Sequence, residues 1–165
     1  MKTLYLIGGT MGVGKTATGT QLVHKVLQNA VFLDGDWCWD ANPFTVTDET
    51  KEMVLDNICH LLGNFLKCSE YQSVVFCWVM HEQSIIDTIL SRLDLSNARV
   101  VAVSLTCTET ALRSRLQKDI DTGKRSVDVL ERSMARLSCY RKLDTILIDT
   151  TDRTVTEIAE LLSRL

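Results

Sequence analysis

The chain has 165 residues, a length typical of one globular domain, and 45% of them are apolar, which excludes an intrinsically disordered protein. The formal net charge is −3, with basic residues scattered along the sequence, which argues against a surface built mainly to bind nucleic acid. No apolar run approaches the ~18 residues of a membrane span, and no secretory leader precedes Leu4. We therefore expect a cytoplasmic protein with reduced cysteines and no membrane attachment.

Short apolar runs alternate with helical patterns along the whole chain. The runs are nearly continuous in Val, Ile and Leu, as expected of strands that are buried on both faces of a sheet. The predicted strands span residues 4–7, 30–33, 73–79, 99–105 and 145–148. The predicted helices span residues 16–29, 48–67, 82–93, 108–121, 127–140 and 154–164, with a capping-box signal at 106–109 for the fourth. This alternation predicts one α/β domain, a parallel sheet with helices on both faces.

An eight-residue motif follows the first predicted strand and opens the first predicted helix. It fits G-x-x-x-x-G-K-[ST], in which glycines let backbone N–H groups surround a phosphate. Its residues are Gly9, Thr10, Met11, Gly12, Val13, Gly14, Lys15 and Thr16. We expect Lys15 to reach the β- and γ-phosphates of a nucleotide and Thr16 to offer its hydroxyl to Mg²⁺. The complete motif and both flanking elements favour this interpretation over a plain glycine-rich turn.

Two aspartates flank Gly35 where the second predicted strand ends. Ligands of parallel sheets bind beyond the carboxyl ends of the strands, so Asp34 and Asp36 should lie near the γ-phosphate. If the strand continued, their side chains would point in similar directions. One could hold Mg²⁺ and the other accept the proton of an attacking hydroxyl; an Asp-Gly turn is the structural alternative. Trp37 and Trp39 follow, and could either wall a substrate pocket or cover a sheet edge.

The phosphate loop, followed about twenty residues later by Leu33-Asp34-Gly35-Asp36, resembles the small P-loop kinases. Among these are adenylylsulfate kinase, shikimate kinase, gluconate kinase and chloramphenicol phosphotransferase. The resemblance implies the nucleoside-monophosphate-kinase-like fold, a three-layer α/β/α domain with five parallel strands in the order 2-3-1-4-5. It also implies that Asp34 stands nearer the metal and that Asp36 contacts the phosphate acceptor.

The sequence departs from these families in two places. Their third strand usually ends in an acid, whereas Phe76-Cys77-Trp78-Val79 stands here. His81 or Glu82 could replace that acid, or Asp34 could suffice for the metal. The Asn-Arg pair that follows Asp-Gly-Asp in adenylylsulfate kinase is replaced by Trp37-Cys38, which argues against adenylylsulfate as the acceptor.

Basic residues cluster after the fourth predicted strand, in a segment of about residues 113–128. They are Arg113, Arg115, Lys118, Lys124 and Arg125. The resemblance implies a lid that brings cations over the transferring phosphoryl group, and we expect Arg115 and Arg125 to approach the β/γ-phosphates only when both substrates are bound. A solvated helical hairpin is the alternative. The family's second lid arginine would fall at position 119, where Asp119 stands.

The loop after the fifth predicted strand is implied, by the same resemblance, to pass beside the adenine. Thr150 and Thr151 would then contact the base. The composition of this loop also suits a helix cap, with Thr154 or Asp152 as the N-cap residue.

These features predict an ATP- and Mg²⁺-dependent phosphotransferase acting on a hydroxyl or phosphate of a small molecule, with nucleosides and nucleotides among the candidates. Its expected partners are ATP and that acceptor. A GTPase switch would carry D-x-x-G, yet no Asp lies three residues before any glycine, and residues 141–144 only resemble N/T-K-x-D. A nucleotide-binding regulatory module without phosphotransfer stays open, because the third strand lacks its acid.

Overall fold

Five parallel strands form one sheet in the computed structural model, which describes residues 1–165. The strands are β1 (Lys2–Gly8), β2 (Ala30–Asp34), β3 (Ser73–Cys77), β4 (Ala98–Thr106) and β5 (Ile146–Asp149). Their order is β2-β3-β1-β4-β5, and every neighbouring pair is parallel. The strand order that the resemblance implied is therefore confirmed. Because all strands run the same way, their carboxyl ends meet at one edge of the sheet.

Helices connect the strands and cover both faces of the sheet. They are α1 (Lys15–Gln21), α2 (Asp48–Lys67), α3 (Gln83–Ser91), α4 (Glu109–Asp121), α5 (Asp128–Leu137) and α6 (Val155–Leu162). A π-helical turn, Leu22–Val26, continues α1, and 3-10 turns follow β2 (Gly35–Cys38) and α5 (Cys139–Lys142). None of these helices combines the length and the hydrophobicity needed to span a bilayer.

Two apolar clusters lie on opposite faces of the sheet. Tyr5 and Ile7 of β1 belong to the cluster beneath α1, α4, α5 and α6, whereas Leu4 and Leu6 belong to the cluster beneath α2 and α3. Successive residues of a strand point to opposite faces, so a strand covered on both sides needs apolar residues at every position. This is why the predicted strands were continuous rather than alternating.

Two local predictions differ from the structure. The first helix was expected to reach residue 29, but α-helical geometry ends at Gln21 and the π-turn ends at Val26. The capping box expected at residues 106–109 is wrong: Thr106 is the last residue of β4, and Thr108 caps α4 by accepting from the backbone N–H of Ala111. Pairing of Thr106 with Asp149 of β5 extends the strand past the local helix signal.

Two helical glycines provide a test of how tightly the helices pack. A Cβ on Gly19 of α1 would lie 2.3 Å from Phe32, whereas one on Gly63 of α2 would meet no atom within 4 Å. We predict that Gly63→Ala raises the free energy of unfolding by about 0.5–1 kcal/mol through helix propensity. Gly19→Ala should lower the free energy of unfolding by about 1–2 kcal/mol, because the clash of the new Cβ with Phe32 costs more than the improved helix propensity contributes. Urea denaturation measures both, and equal effects of the two substitutions would contradict the packing described.

Candidate functional site

The phosphate-loop motif lies between β1 and α1, in a conformation that depends on its glycines. Gly9, Gly12 and Gly14 have positive φ values of 150°, 82° and 104°. Side chains are strained in this region, and a Cβ on Gly12 would also lie 2.6 Å from Cδ2 of Leu116. Such turns bring successive backbone N–H groups into a concavity that suits an anion.

Contacts from distant parts of the chain fix this loop. The buried hydroxyl of Thr10 donates to the carbonyl of Ser133 in α5 at 2.9 Å. The hydroxyl of Thr150, at the end of β5, lies 3.5 Å from the carbonyl of Val13. Met11 packs against the larger apolar cluster. The loop is therefore held by α5 and by the end of β5 at once.

Lys15 begins α1 and lies across the loop. Its Nζ donates to the carbonyl of Thr10 at 3.0 Å. Burial lowers the pKa of Lys15, while the carboxylates of Asp36 and Asp34 act in the opposite direction. The ammonium is thus poorly solvated and lies within electrostatic reach of Asp34 and Asp36, an arrangement suited to a group that binds an incoming polyphosphate.

A short hydrogen bond joins the two candidate metal ligands. The hydroxyl of Thr16 donates to Oδ2 of Asp34 at 2.6 Å. Asp34 is the last residue of β2, is only 5% exposed, and accepts the backbone N–H of Asp36 with its other oxygen at 3.1 Å. The structure therefore places a hydroxyl and a carboxylate side by side at the mouth of the loop.

Cys77 occupies the strand end where the related families carry an acid. It pairs in register with Asp34 on one side and with Ile7 on the other. Burial and the nearby charge of Asp34 raise the pKa of its thiol far above the usual range, so it stays neutral. A small neutral side chain at this position lets Asp34 reach across β3 toward Thr16.

The two alternatives to Asp34 lie elsewhere. His81 contacts the carbonyl of Val79 at 3.0 Å and the carboxylate of Glu82 at 3.4 Å. Glu82 also accepts from Ser84. Of the three candidates for replacing the missing acid, Asp34 is the one that contacts Thr16.

Asp36 does not follow Asp34 along an extended strand, as alternation had suggested. The chain turns at Gly35 into the 3-10 turn, so the carboxylate of Asp34 caps the turn that carries Asp36. Burial raises the pKa of Asp36, as does the charge of Asp34, while Lys15 and Trp78 lower it. The result is a carboxylate at the site mouth that holds its proton more tightly than an isolated aspartate.

Arg115 contacts the loop after β5. Its guanidinium donates to the hydroxyl and carbonyl of Thr150 at 3.0 and 2.7 Å and to the carbonyl of Thr151 at 3.3 Å. The approach of Arg115 to the β/γ-phosphates, which was expected only with both substrates bound, stays a prediction. In the structure, Arg115 ties α4 to the loop that carries Thr150 and Thr151. Thr154, one of the two residues predicted to cap the following helix, is the N-cap of α6.

Arg125 belongs to the predicted lid segment and lies between α4 and α5. Its Nε contacts Oδ2 of Asp119 at 3.2 Å. Its charge lowers the pKa of both Lys15 and Asp36, which places the guanidinium within electrostatic reach of both. Asp119, which stands where the related kinases carry a lid arginine, here holds the arginine that faces the site.

The structure separates the two tryptophans that follow Asp36. Trp37 packs edge-on against Phe32, with ring centroids 5.4 Å apart, and remains 63% exposed. Trp39 packs against Phe44 at 4.4 Å, on the other side of β2. It lines a cavity of about 330 Å³ together with Cys38, Asp40, Pro43, Thr50 and Met53. Trp37 and Trp39 therefore do not form one wall.

Sequence reasoning missed several residues of this region. Ser133 anchors Thr10, Asp119 holds Arg125, and Phe44 completes the pair with Trp39. The first two contacts join α5 to the loop and one part of the lid to another, and no spacing or motif signals them. Phe44 could have been suspected from its place between Trp39 and α2.

A family model described as an AAA domain matches residues 6–135, most of the chain. The chain belongs to this AAA-domain family. No curated protein matches it in sequence.

Solved structures resemble this AAA-domain protein over nearly its whole length. A gluconokinase from Sinorhizobium meliloti 1021 is 18% identical with a TM-score of 0.70, covering 98% of this chain and 92% of its own. The tunicamycin resistance protein of Deinococcus radiodurans is 19% identical with a TM-score of 0.70, covering 99% and 95%. The APS kinase of Mycobacterium tuberculosis, solved with AMPPNP and APS, is 15% identical with a TM-score of 0.69, covering 99% and 95%. The resemblance to small P-loop kinases is thereby confirmed at the level of the fold.

The contacts of Arg115 predict a structural role for this side chain in the AAA-domain protein. Arg115→Ala removes three hydrogen bonds between α4 and the β5–α6 loop, and should lower the free energy of unfolding by about 1.5–3 kcal/mol. Arg113→Ala is the matched control, because Arg113 lies exposed on the same helix, and should change it by less than about 0.5 kcal/mol. Urea denaturation of both variants checks this. Equal stability of the two variants would remove Arg115 from the framework of the site.

Proposed function

We propose that this protein is an ATP- and Mg²⁺-dependent kinase that transfers the γ-phosphoryl group of ATP to a small-molecule acceptor. The observation that carries the proposal is the contact of Thr16 with Asp34 at 2.6 Å, beside Lys15 and next to the phosphate-loop motif. A glycine-rich turn with a purely structural role would need neither the lysine nor the paired hydroxyl and carboxylate.

The nucleotide half of the proposed site combines the loop with β5. Residues 9–16 would surround the phosphates with backbone N–H groups, and Lys15 would neutralise charge at the β- and γ-phosphates. The loop with Thr150 and Thr151 would lie beside the base, held in place by Arg115. In this arrangement Arg115 is a positioning residue, while Arg125 is the lid cation that faces the transferring group.

The residues present fit a magnesium ion. Mg²⁺ prefers hard oxygen ligands and is bound by one or two carboxylates or hydroxyls together with substrate phosphates. Thr16 and Asp34 supply those two oxygens at adjoining positions. When bound, the ion would offset charge on the phosphates during transfer.

Asp36 is the proposed base on the acceptor side. The acceptor hydroxyl would lose its proton to the carboxylate of Asp36 as its oxygen bonds to the γ-phosphorus. The bond from that phosphorus to the β–γ bridging oxygen breaks in the same transfer, and ADP leaves with the electron pair. The raised pKa of Asp36 supports this role, because a more basic carboxylate takes the proton more readily.

A nucleotide-binding regulatory module without phosphotransfer is the second candidate. One observation favours it: β3 ends in the neutral Cys77 rather than in an acid. Such a module would bind Mg²⁺-ATP equally well but turn over no acceptor, so turnover in a broad acceptor screen separates the two functions.

Lys15 tests the nucleotide half directly. Mg²⁺-ATP should raise the melting temperature of the wild type, as any ligand of the native state does, and Lys15→Ala should remove most of that rise. Lys25→Ala is the matched control, since Lys25 is exposed on the turn that continues α1. Differential scanning fluorimetry checks this. A full ATP-dependent rise in Lys15→Ala would count against the nucleotide site.

Asp36 tests the catalytic half. Asp36→Asn should lower kcat by roughly 100-fold or more while leaving ATP affinity nearly unchanged, because the proton acceptor is lost. Asp144→Asn, an exposed aspartate before β5, is the control and should keep wild-type turnover. Steady-state kinetics with an accepted substrate checks both.

The raised pKa of Asp36 also predicts how Asp36→Asn changes the stability of the fold. The pKa of Asp36 is raised in the folded chain, so this group stabilises the fold below its unfolded pKa, and that contribution is lost as pH rises through the folded pKa. At pH 7 the melting temperature of Asp36→Asn should therefore equal or exceed that of the wild type. A marked drop in the melting temperature would instead make Asp36 a structural residue.

A further inference from the structure

The segment that leads from β2 into α2 is strongly acidic. Residues 34–53 hold six acids, Asp34, Asp36, Asp40, Asp48, Glu49 and Glu52, and a single base, Lys51. Lys51 projects from the first turn of α2, where it lies 3.4 Å from Asp48 with its side chain 61% exposed. With six acids and one base, this segment has a formal charge of −5.

Some of these acids have partners, and some do not. Asp34 accepts from Thr16, and Glu52 forms an ion pair with Arg92 at 2.8 Å. Asp40 is exposed, makes no hydrogen bond or ion pair, and lines the 330 Å³ cavity that Trp39 also lines. The cavity thus contains an uncompensated negative charge.

This cavity adjoins the proposed base. Cys38 lines it, two residues after Asp36 in the same 3-10 turn. The charges of Asp34 and Asp36 raise the pKa of the Cys38 thiol beyond the effect of its burial. A molecule that fills the cavity would lie next to the turn that carries Asp36.

Half of the eight lining residues are hydrophobic, and Phe44 lies next to the lining residue Pro43 without lining the cavity itself. Trp39 stacks at a tilt of 35° on Phe44, which is 61% exposed, and Met53 is 42% exposed. Large exposed apolar side chains gathered beside a cavity mark a ligand surface. The volume of about 330 Å³ is that of a small-molecule site.

Three basic side chains of the neighbouring candidate site lie outside the lining of this cavity. Lys15 contacts the loop carbonyl of Thr10, and Arg125 contacts Asp119. His81, after β3, lies against Glu82. None of the three lines the cavity.

We propose that the acceptor is a hydroxyl compound without any negatively charged group, which lays an apolar or aromatic ring on Trp39 and Phe44 and points its hydroxyl at Asp36. This inference rests on the proposed kinase function. An anionic acceptor would meet Asp36 and Asp40 in a segment whose formal charge is −5, and this repulsion should weaken its binding about 10-fold or more.

Ionic quenching of tryptophan fluorescence tests the charge of the cavity without any acceptor. Trp37→Phe removes the most exposed indole, so the remaining signal comes from Trp39 and Trp78. The quenching constants for caesium and iodide are measured at constant ionic strength, and each is divided by its value for free N-acetyltryptophanamide. The normalised constant for caesium should then exceed that for iodide by about 3-fold or more. Asp40→Lys should narrow this ratio, whereas Glu70→Lys, the same charge change on the exposed turn before β3, should not. Equal normalised quenching by the two ions in Trp37→Phe would overturn the proposal.

Matched acceptor pairs then test the substrate class. Each pair joins a neutral compound to its anionic derivative, such as a nucleoside with its 5′-monophosphate or shikimate methyl ester with shikimate. Binding is read from thermal shifts with Mg²⁺ and a non-hydrolysable ATP analogue, and transfer from ADP release. The neutral member should bind at least about 10-fold more tightly, and Asp40→Lys should reduce that preference.

The outcomes separate the two proposals. A panel in which the anionic members bind and accept phosphate better would support the kinase function and overturn the acceptor class. If the neutral members bind more tightly but none of them accepts phosphate, the cavity binds uncharged ligands as proposed and the kinase function is wrong. If no compound binds, the ratio of caesium to iodide quenching decides whether the cavity repels anions.

Discussion

A hydrogen bond between Thr16 and Asp34 joins two parts of the chain on which the rest of the candidate site depends. Thr16 follows β1, Asp34 ends β2, and β3 lies between these strands in the sheet. The contact therefore requires the β2-β3-β1 order, a parallel register that aligns the carboxyl ends, and a small side chain at Cys77. The same carboxylate caps the turn that presents Asp36. One residue thus links the proposed metal position to the proposed acceptor side.

The lid segment divides its two predicted arginines between different tasks. Arg115 on α4 binds the loop after β5, so the predicted lid and the loop proposed to contact the base are joined by hydrogen bonds. Arg125, beyond the end of α4, acts electrostatically on Lys15 and Asp36 and is held by Asp119. An arginine already engaged in three hydrogen bonds would lose them on moving to a phosphate, whereas one exposed ion pair is exchanged at little cost. This difference favours Arg125 as the cation that meets the transferring group.

Sequence patterns located the fold and the loop because both rest on local or periodic signals. The second helix was predicted at residues 48–67, which are its bounds in the structure. The roles of other residues depend on tertiary contacts that no local pattern carries. Thr106 joins β4 because it pairs with Asp149, Arg115 turns toward Thr150, and Trp37 and Trp39 diverge onto opposite sides of β2. The acid-rich, lysine-poor segment before α2 was visible in the sequence, but its meaning depends on the cavity that it lines.

The central claim is that Thr16 and Asp34 form the metal-binding half of a nucleotide site. Its most direct test is calorimetric titration of ATP into the wild type, Asp34→Asn and Asp36→Asn, each with and without Mg²⁺. Mg²⁺ should strengthen ATP binding in the wild type and in Asp36→Asn, but much less in Asp34→Asn, where one ligand charge is lost. An equal gain from Mg²⁺ in all three proteins would show that Asp34 holds no metal and would contradict the account.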